Sequence, residues 1–180
     1  MRIYGNRAIE TLPGLQARPT PGRVREAVFN IWQGTIADCR WLDLCAGNGT
    51  MGAEALCRGA REAIAIEQSG RSCAIIQRNW TKVAQPQQHF RVVRGDARRK
   101  LKDLAGEPFD RVYFDPPYAS DLYEPILALL AELGLVAIGG EVAVESDRDR
   151  VPLAPPTGWE CPRRKLYGQT AVTFYTIFQH

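Results

Sequence analysis

Apolar and polar positions along this chain follow two different periods. From Arg23 to Trp32 the apolar residues recur at i, i+3, i+4, i+7 and i+8, the spacing of an amphipathic helix, and Gly34 ends it. Beyond residue 40, short apolar runs alternate with longer amphipathic segments. We predict strands at Arg40–Cys45, Ala63–Glu67, Phe90–Arg94, Arg111–Phe114 and Glu141–Glu145, separated by helices at Thr50–Arg58, Ser69–Val83, Ala97–Leu104 and Leu122–Leu135. This alternation is typical of a doubly wound, mostly parallel α/β sheet.

Both ends of the chain depart from this rhythm. Lys165–Tyr167 and Thr170–Phe178, joined by Gly168-Gln169, have no helix between them and predict a terminal antiparallel hairpin. The first twenty residues hold several glycines and prolines, which predicts an extended arm with turns. We therefore divide a single domain into a basic arm and helix at residues 1–36 and a sheet region at residues 37–180.

Composition is that of an ordinary globular protein. The chain has 180 residues, of which 45% are hydrophobic and 24% charged. No apolar run approaches the ~18 residues of a membrane span, and no apolar stretch of signal-peptide length opens the sequence. The five cysteines form no C-x-x-C pair and no zinc spacing, so we expect free thiols, no metal and a cytoplasmic location.

Charge placement is more informative than the net charge of +3. Residues 1–30 hold five arginines against two acids, and a basic arm of this kind is a candidate for nucleic-acid binding. A second cluster, between Arg71 and Lys102, has nine basic residues and only Asp96 against them. Charge runs of this kind are more often solvated faces than binding surfaces.

Four consecutive predicted strand ends carry an acid: Asp43, Glu67, Asp96 and Asp115. Ligands of open α/β sheets bind at that edge. Gly47-x-Gly49-x-x-Gly52 matches the dinucleotide fingerprint, and Glu67 follows 20 residues after Gly47, where an acid would bind ribose hydroxyls. By itself this pattern fits both a nicotinamide enzyme and a methyltransferase with a nucleoside cofactor.

Two further features favour the methyltransferase. Asp43 would repel a pyrophosphate but suits the cationic amino-acid tail of S-adenosylmethionine. Asp115-Pro116-Pro117-Tyr118 ends a buried strand with two prolines, which stop the ladder and leave a carbonyl pointing outward. An acid, a carbonyl and an aromatic ring together suit a flat base with an exocyclic amine.

These motifs resemble a known group. DLCAGNGTMGAEALCRGA (Asp43–Ala60) and FDPPY (Phe114–Tyr118) are similar to class I S-adenosylmethionine-dependent methyltransferases with a D-P-P-Y motif. With RPTPGRVREAVFNI (Arg18–Ile31) and YGQTAVTFY (Tyr167–Tyr175), the resemblance narrows to the bacterial RsmD family and spans nearly the whole chain. The arm departs from the family pattern, because residues 1–16 contain only two arginines and Gly22 stands where an acid is common.

The resemblance implies a Rossmann-like seven-stranded sheet of order 3-2-1-4-5-7-6. It also implies methyl transfer from S-adenosylmethionine, leaving S-adenosylhomocysteine, to the exocyclic N2 amine of a guanine in 16S ribosomal RNA. The expected substrate is the assembled small ribosomal subunit, and the expected enzyme is a monomer. The expected cofactor-binding residues are Asp43, Ala46, Gly47, Asn48, Gly49, Glu67, Gln68, Asp96 and Ala97. The expected catalytic residues are Asp115, Pro116, Pro117 and Tyr118, and the expected RNA-binding residues are Arg18, Arg23 and Arg25.

Three alternatives remain open from the sequence. D-P-P-Y motifs serve any exocyclic amine, so the substrate could be adenine in DNA or another RNA, although the chain has no room for a separate target-recognition region. A non-catalytic RNA-binding or assembly protein is a second alternative, against which the acids at every strand end argue. A nicotinamide oxidoreductase is the third, and in it Asp43 and the D-P-P-Y motif have no role.

Overall fold

The computed structural model describes residues 1–12, 22–104 and 106–177, and a seven-stranded sheet is its main feature. A two-stranded ribbon near the amino terminus supplies β1 and β2, and the main sheet supplies β3 to β9. The strands are β1 (Arg2–Ile3), β2 (Arg7–Ala8), β3 (Arg40–Leu44), β4 (Glu62–Glu67), β5 (His89–Arg94), β6 (Phe109–Phe114), β7 (Val136–Asp147), β8 (Trp159–Tyr167) and β9 (Thr170–Ile177).

The order of strands in the main sheet is β5-β4-β3-β6-β7-β9-β8. Each neighbouring pair among the five strands β5, β4, β3, β6 and β7 is parallel. Strand β9 pairs antiparallel with both β7 and β8. Numbered within the sheet, this order is 3-2-1-4-5-7-6. The predicted Rossmann-like sheet with a terminal antiparallel hairpin is confirmed.

Helices cover the sheet on both faces. They are α1 (Gly22–Ile31), α2 (Thr50–Cys57), α3 (Gly70–Val83), α4 (Ala97–Lys100) and α5 (Tyr123–Glu132), with 3-10 turns at Tyr4–Asn6 and Leu101–Asp103. Helix α3 has a side-chain N-cap, because the Ser69 hydroxyl accepts a hydrogen bond from the Ser72 N–H at 3.3 Å. One core cluster packs α1, α2 and α3 against one face, and a second packs α4 and α5 against the other.

The boundary between α5 and β7 differs from the prediction. We expected a helix to Leu135 and a strand from residue 141, but α5 ends at Glu132 and β7 begins at Val136. Gly134 adopts a φ of 60°, which ends the helix, and Phe109 already pairs with Val136. A register shift at Phe109/Arg111 then absorbs the extra residues of β7. The unbroken apolar run hid this boundary in the sequence.

Residues 1–12 pack on the core instead of forming an extended arm, and the rest of the predicted arm lies outside the described residues. β1 pairs antiparallel with β2, and the buried side chains of Ile3 and Ile9 join the core cluster beneath α2. Trp32, the residue after α1, holds the end of that helix on the sheet, and its indole N–H donates to Glu141 at 3.0 Å. Its ring also meets Trp41 of β3 edge to face, with centroids 5.5 Å apart. Residues 1–12 and α1 therefore share the core of the sheet.

No helix in the described part of the chain combines the length and the apolar character that crossing a membrane requires.

Candidate functional site

A cavity of about 530 Å³ lies over the carboxyl ends of the parallel strands. This is the size range of small-molecule sites. Twelve of the thirteen residues predicted for the cofactor and the base line it; they are Asp43, Ala46, Gly47, Asn48, Glu67, Gln68, Asp96, Ala97, Asp115, Pro116, Pro117 and Tyr118. The structure thus brings the motifs that follow β3, β4, β5 and β6 into one continuous space.

Gly49, the remaining residue of that set, is not among the residues that line the cavity. Its φ is 69°, and a Cβ there would come within 2.8 Å of the Trp80 indole nitrogen, which donates to the Gly49 carbonyl. Gly52 is tighter still, since a Cβ would come within 2.2 Å of the Trp80 ring. These two glycines of the motif are needed for the packing of α3, and only Gly47 faces the cavity.

Asp43 is the most deeply buried acid of the cavity. It lies on β3 beside Tyr113 of β6, its side chain is 2% exposed, and its Oδ2 accepts the Gly52 N–H at 2.9 Å. Burial raises the pKa of Asp43 from 3.8 to about 8; the Gly52 hydrogen bond opposes this, and the negative charge of Glu67 adds to it. A carboxyl group held this way is stabilised as an anion by a bound cation.

Glu67 connects the end of β4 to the glycine loop. Its Oε2 accepts the Gly47 N–H at 2.9 Å, and its Oε1 accepts the Ser69 N–H at 2.8 Å. A carboxylate oxygen has more than one lone-pair direction, so ribose hydroxyls can still bind there. Glu67 therefore fixes the loop and presents acceptors to the cavity.

Asp96 follows β5 and caps the short helix α4. Its Oδ1 accepts the Arg98 N–H at 2.8 Å, and the Arg98 guanidinium lies 3.1 Å from its Oδ2. The hydrogen bond from the Arg98 side chain is the main cause that lowers the pKa of Asp96 below its ordinary value. Asp96 is therefore a fixed anion at the end of the cavity where Ala97 also lies.

The Asp115–Tyr118 segment forms the other end of the cavity. It continues from the buried end of β6, and the Asp115 N–H donates to the Leu44 carbonyl of β3 at 3.2 Å. Pro116 is buried, whereas Pro117 is exposed at the rim. Burial raises the pKa of Tyr118 to about 12, so its hydroxyl stays protonated.

Glu145 of β7 is a cavity residue that the sequence analysis missed. Its side chain is 2% exposed, its Oε1 accepts the Tyr118 hydroxyl at 3.1 Å, and its Oε2 accepts the Tyr113 hydroxyl. Thr170 of β9 lies 3.0 Å from the same Tyr118 oxygen. The available signal was the acid at the predicted end of the fifth strand, which continues the series of the other four.

Other lining residues had no distinctive signal in the sequence. They are Cys45, Thr50, Met51, Ile66, Ser69, Ser72, Gly95, Tyr113 and Leu122. Burial raises the pKa of Cys45 far above its ordinary value, and the surrounding carboxylates add to this, so its thiol stays neutral. A nucleophilic thiolate at this position has no support.

The three predicted RNA-binding arginines have different outcomes. Arg18 lies outside the described residues, and Arg23 is exposed on α1. Arg25 is 7% exposed, and its Nε lies 2.6 Å from the buried Glu54 carboxylate, so it is a structural residue rather than an RNA contact. Its position on the polar side of the predicted helix hid this role, because β1 and α2 cover that side as well.

Across residues 1–12, 22–104 and 106–177, no three His, Cys, Asp or Glu side chains form a group that could hold a metal ion.

Comparison with known proteins supports the same architecture. The family model described as conserved hypothetical protein 95 matches residues 1–176. The chain belongs to this family. It is 35% identical over 163 residues to ribosomal RNA small subunit methyltransferase D of Escherichia coli K12, covering 91% of this chain and 80% of the relative. These two findings confirm the predicted membership of the RsmD family.

Two further relatives cover nearly the whole length. The Bacillus subtilis protein YlbH, named as a candidate rRNA methyltransferase, is 31% identical over 172 residues, which is 94% of this chain and 92% of YlbH. The solved structure of the Escherichia coli protein yhhF, described as a methyltransferase candidate, superposes with a TM-score of 0.86 at 32% identity and covers 98% of this chain and 97% of that one. The class I methyltransferase fold is therefore shown along the full sheet.

Proposed function

We propose that this protein transfers a methyl group from S-adenosylmethionine to the exocyclic N2 amine of a guanine in 16S ribosomal RNA, acting on the small ribosomal subunit. The observation that carries the proposal is the continuity of the cavity. One space runs from the carboxylates of Glu67 and Asp96 to the slot at Asp115–Tyr118. A donor nucleoside and an amine acceptor in this space would lie next to each other.

The residues of the cavity fit S-adenosylmethionine. Asp43 is a buried carboxyl group, and a cationic amino-acid tail beside it would stabilise its carboxylate form against the raised pKa. Glu67 offers acceptors to ribose hydroxyls, and Asp96 with the Ala97 N–H suits the edge of an adenine ring. Gly47, with a φ of 55°, allows the backbone to approach the ligand closely. When bound, this cofactor supplies an electrophilic methyl group.

The slot at the other end fits an amino-substituted ring. The Asp115 carboxylate and the Pro116 carbonyl accept hydrogens from the exocyclic nitrogen, and Tyr118 stacks on the base. The Tyr118 ring is fixed by its hydrogen bonds to Glu145 and Thr170. A target base enters such a slot only after leaving its stack.

Orientation is the main contribution of this chain to the rate. An aromatic amine is a poor nucleophile because its lone pair is delocalised into the ring. Two acceptors favour a more tetrahedral nitrogen and direct its lone pair toward the methyl donor. No strong base is required, because the amine proton becomes acidic as the new N–C bond forms, and Asp115 is beside it to hold that proton.

The identity of the polymer is supported by the relatives. The Escherichia coli relative is named as a small-subunit rRNA methyltransferase, and this chain covers 80% of its length. A DNA adenine substrate or another RNA is the alternative that the same slot allows.

The decisive experiment is labelled methyl transfer with the purified protein. The substrates are small subunits from cells that lack the protein, naked 16S RNA and double-stranded DNA, followed by nucleoside analysis. We expect label in N2-methylguanosine from the subunits. Label in N6-methyladenine, or no transfer to any of the three, would refute the proposal.

A variant pair locates the reaction in the slot. Asp115→Ala should abolish transfer and keep S-adenosylmethionine affinity within several-fold. Asp121→Ala is the matched control, because this acid is exposed and lies six residues further along the chain. Full activity in Asp115→Ala would rule out the assignment of the slot.

A further inference from the structure

The cluster of basic residues between Arg71 and Lys102 has no role in the cavity chemistry described above. The fold gathers these residues around β5, which is one of the two edge strands of the main sheet. Exposed cations follow the outer side of α3, the strand itself and the α4 segment on the opposite face; they are Arg71, Arg78, Lys82, Arg91, Arg94, Arg99 and Lys102. We call these seven residues the β5-edge band.

Most of the band carries uncompensated charge. Arg78 pairs with Glu10 at 3.0 Å. Among the described residues, no carboxylate lies within 4.0 Å of the cationic groups of the other six band members. Side chains that only formed a solvated, salt-bridged face would alternate with acids. The band instead presents one sign of charge over adjoining elements.

Local packing holds part of the band in place. The Arg94 guanidinium lies over Gly70 at the start of α3, where a Cβ would come within 3.0 Å of its Cζ. Arg71, the next residue of α3, is exposed beside it. Arg94 is the last residue of β5, so this part of the band lies at the carboxyl end of that strand, which is the edge of the sheet where the cavity opens.

RNA that reaches the cavity needs a cationic surface elsewhere on the protein to bind its phosphates. Its rim carries Glu67, Asp96 and Asp115, and these carboxylates repel phosphates. β5 is three strands from β6 in the sheet order, which is about 14 Å at the usual strand spacing. An RNA strand that delivers a base to the slot after β6 passes within reach of the band.

The amino-terminal segment approaches the same surface. The Glu10 N–H donates to the buried Asn79 side chain of α3 at 2.8 Å, and the Leu12 N–H donates to Asn48 at 3.4 Å. Glu10 therefore lies beside α3, next to the band residue Arg78.

We propose that the β5-edge band is the surface on which this protein docks the phosphate backbone of its RNA substrate; the inference rests on the proposed function for the identity of that RNA. Phosphate contacts of this kind position the RNA without reading its sequence, and each releases counterions. The choice of the methylated base is made in the slot, and the band supplies affinity.

The test compares two triple variants of the full-length protein. The band variant is Arg71→Gln/Arg91→Gln/Arg99→Gln. The control variant is Arg61→Gln/Arg148→Gln/Lys165→Gln, which makes the same change in net charge at exposed positions outside the band and outside the amino-terminal arm. Arg98 is left intact because it holds Asp96. In both variants the melting temperature should equal that of wild type within experimental spread. The S-adenosylmethionine dissociation constant should change by less than twofold.

Affinity for small subunits and for a 16S RNA fragment is then measured from about 50 to 200 mM salt. We expect the band variant to bind at least tenfold more weakly at the lowest salt. Its plot of log affinity against log salt should be shallower by about two, since each lost phosphate contact removes roughly 0.7 to 0.9 from the slope. The control should lose less than threefold. Equal losses in the two variants, or an unchanged slope in the band variant, would overturn the inference.

Binding and transfer fail independently in this design. A wild-type protein that binds RNA through the band but transfers no methyl group would defeat the proposed function and leave the band established. If the protein methylates guanine but the band variant binds RNA as tightly as wild type, the proposed function stands and the band inference fails.

Discussion

The Tyr118 hydroxyl donates to the Glu145 carboxylate at 3.1 Å, and this bond joins the D-P-P-Y segment to β7. Glu145 also accepts the Tyr113 hydroxyl of β6 and is almost completely buried. Thr170 of β9 contacts the same Tyr118 oxygen. Three strands therefore fix one aromatic ring, and the position of that ring determines the width of the proposed base slot.

Replacing Glu145 tests whether this positioning matters for transfer. In Glu145→Gln, the two tyrosine hydroxyls lose a charged acceptor, and hydrogen bonds to charged groups contribute about 1.5–3 kcal/mol. We expect kcat to fall at least tenfold, while S-adenosylmethionine affinity changes less than threefold. Steady-state kinetics with small subunits and calorimetric titration of the cofactor provide the two measurements.

Tyr118→Phe is the matched companion of that variant. It keeps a ring that can stack and removes only the anchoring hydroxyl, so we expect a loss of transfer similar to that of Glu145→Gln. A retained kcat in both variants would show that the slot does not depend on this anchor. Since the pKa of Tyr118 is raised to about 12, neither result should depend on pH between 6 and 9.

The alternation of apolar strands with amphipathic helices, together with the order of the motifs, was sufficient to predict the sheet. It did not predict all of the contacts around the cavity. Asp43 and Glu67 lie at the ends of short apolar strands and Asp96 and Asp115 just after them. The rule that parallel strands end at one edge therefore brought these acids together from the sequence alone. Glu145 is also the last residue of a predicted strand, so the same rule could have placed it at this edge. Its contacts with the Tyr113 and Tyr118 hydroxyls depend on the pairing of β7 with β6, which the pattern of a single strand does not contain.

The spacing of the glycines did not show why each glycine is required. Gly49 and Gly52 match the dinucleotide fingerprint, yet both are required by the approach of Trp80 from α3. Trp80 lies about thirty residues further along the chain, and a contact of that sequence separation cannot be read from the motif. The fingerprint loop does border the cavity through Gly47, but the motif gave no sign that its other two glycines are needed for the packing of α3.

Removing Glu67 should weaken cofactor binding by two routes. Glu67→Ala deletes the acceptor for ribose hydroxyls and releases the Gly47 and Ser69 N–H groups that its carboxylate holds. We expect the S-adenosylmethionine dissociation constant to rise at least tenfold, with kcat at saturating cofactor within a few-fold of wild type. Calorimetry measures the first quantity and initial rates the second.

Glu67→Gln separates the two routes. Its amide retains one oxygen that can accept the Gly47 N–H, so the loop should stay ordered while the charge is lost, and we expect an intermediate affinity. If Glu67→Ala binds the cofactor as tightly as wild type, the ribose assignment fails.

Asp43 should make cofactor affinity depend on pH. Its pKa is about 8 in the free protein, so it is mostly protonated at pH 6, and a bound cation favours the carboxylate. Binding at pH 6 must therefore release a proton, and affinity should rise between pH 6 and pH 8 by up to about tenfold per unit. Calorimetry in buffers of different ionisation enthalpy counts the proton.

The free energy of unfolding of the cofactor-free protein should fall as pH rises, whereas the cofactor affinity rises. Asp43 binds its proton more tightly in the folded chain than in the unfolded one, where its pKa is near 3.8. Its contribution to the free energy of unfolding is therefore fully present below pH 4 and is lost as pH rises toward 8. Asp43→Asn should remove this slope and the pH dependence of affinity. Identical pH profiles in wild type and Asp43→Asn would contradict the assigned pKa.

Two arginines of α1, Arg23 and Arg25, should give opposite phenotypes although the sequence grouped them as RNA contacts. Arg25 lies beneath the surface against Glu54, and breaking a buried ion pair costs about 3–5 kcal/mol because one charge loses its partner. Arg58 also pairs with Glu54 at 2.8 Å and offsets part of this loss, so we expect Arg25→Met to lower the free energy of unfolding by about 3 kcal/mol in urea. Arg23→Met, at an exposed position, should change it by less than about 0.5 kcal/mol.

RNA binding should reverse the order, because only an exposed guanidinium can contribute to the salt dependence of affinity. A stable Arg25→Met variant with a shallower salt slope would return Arg25 to the RNA interface.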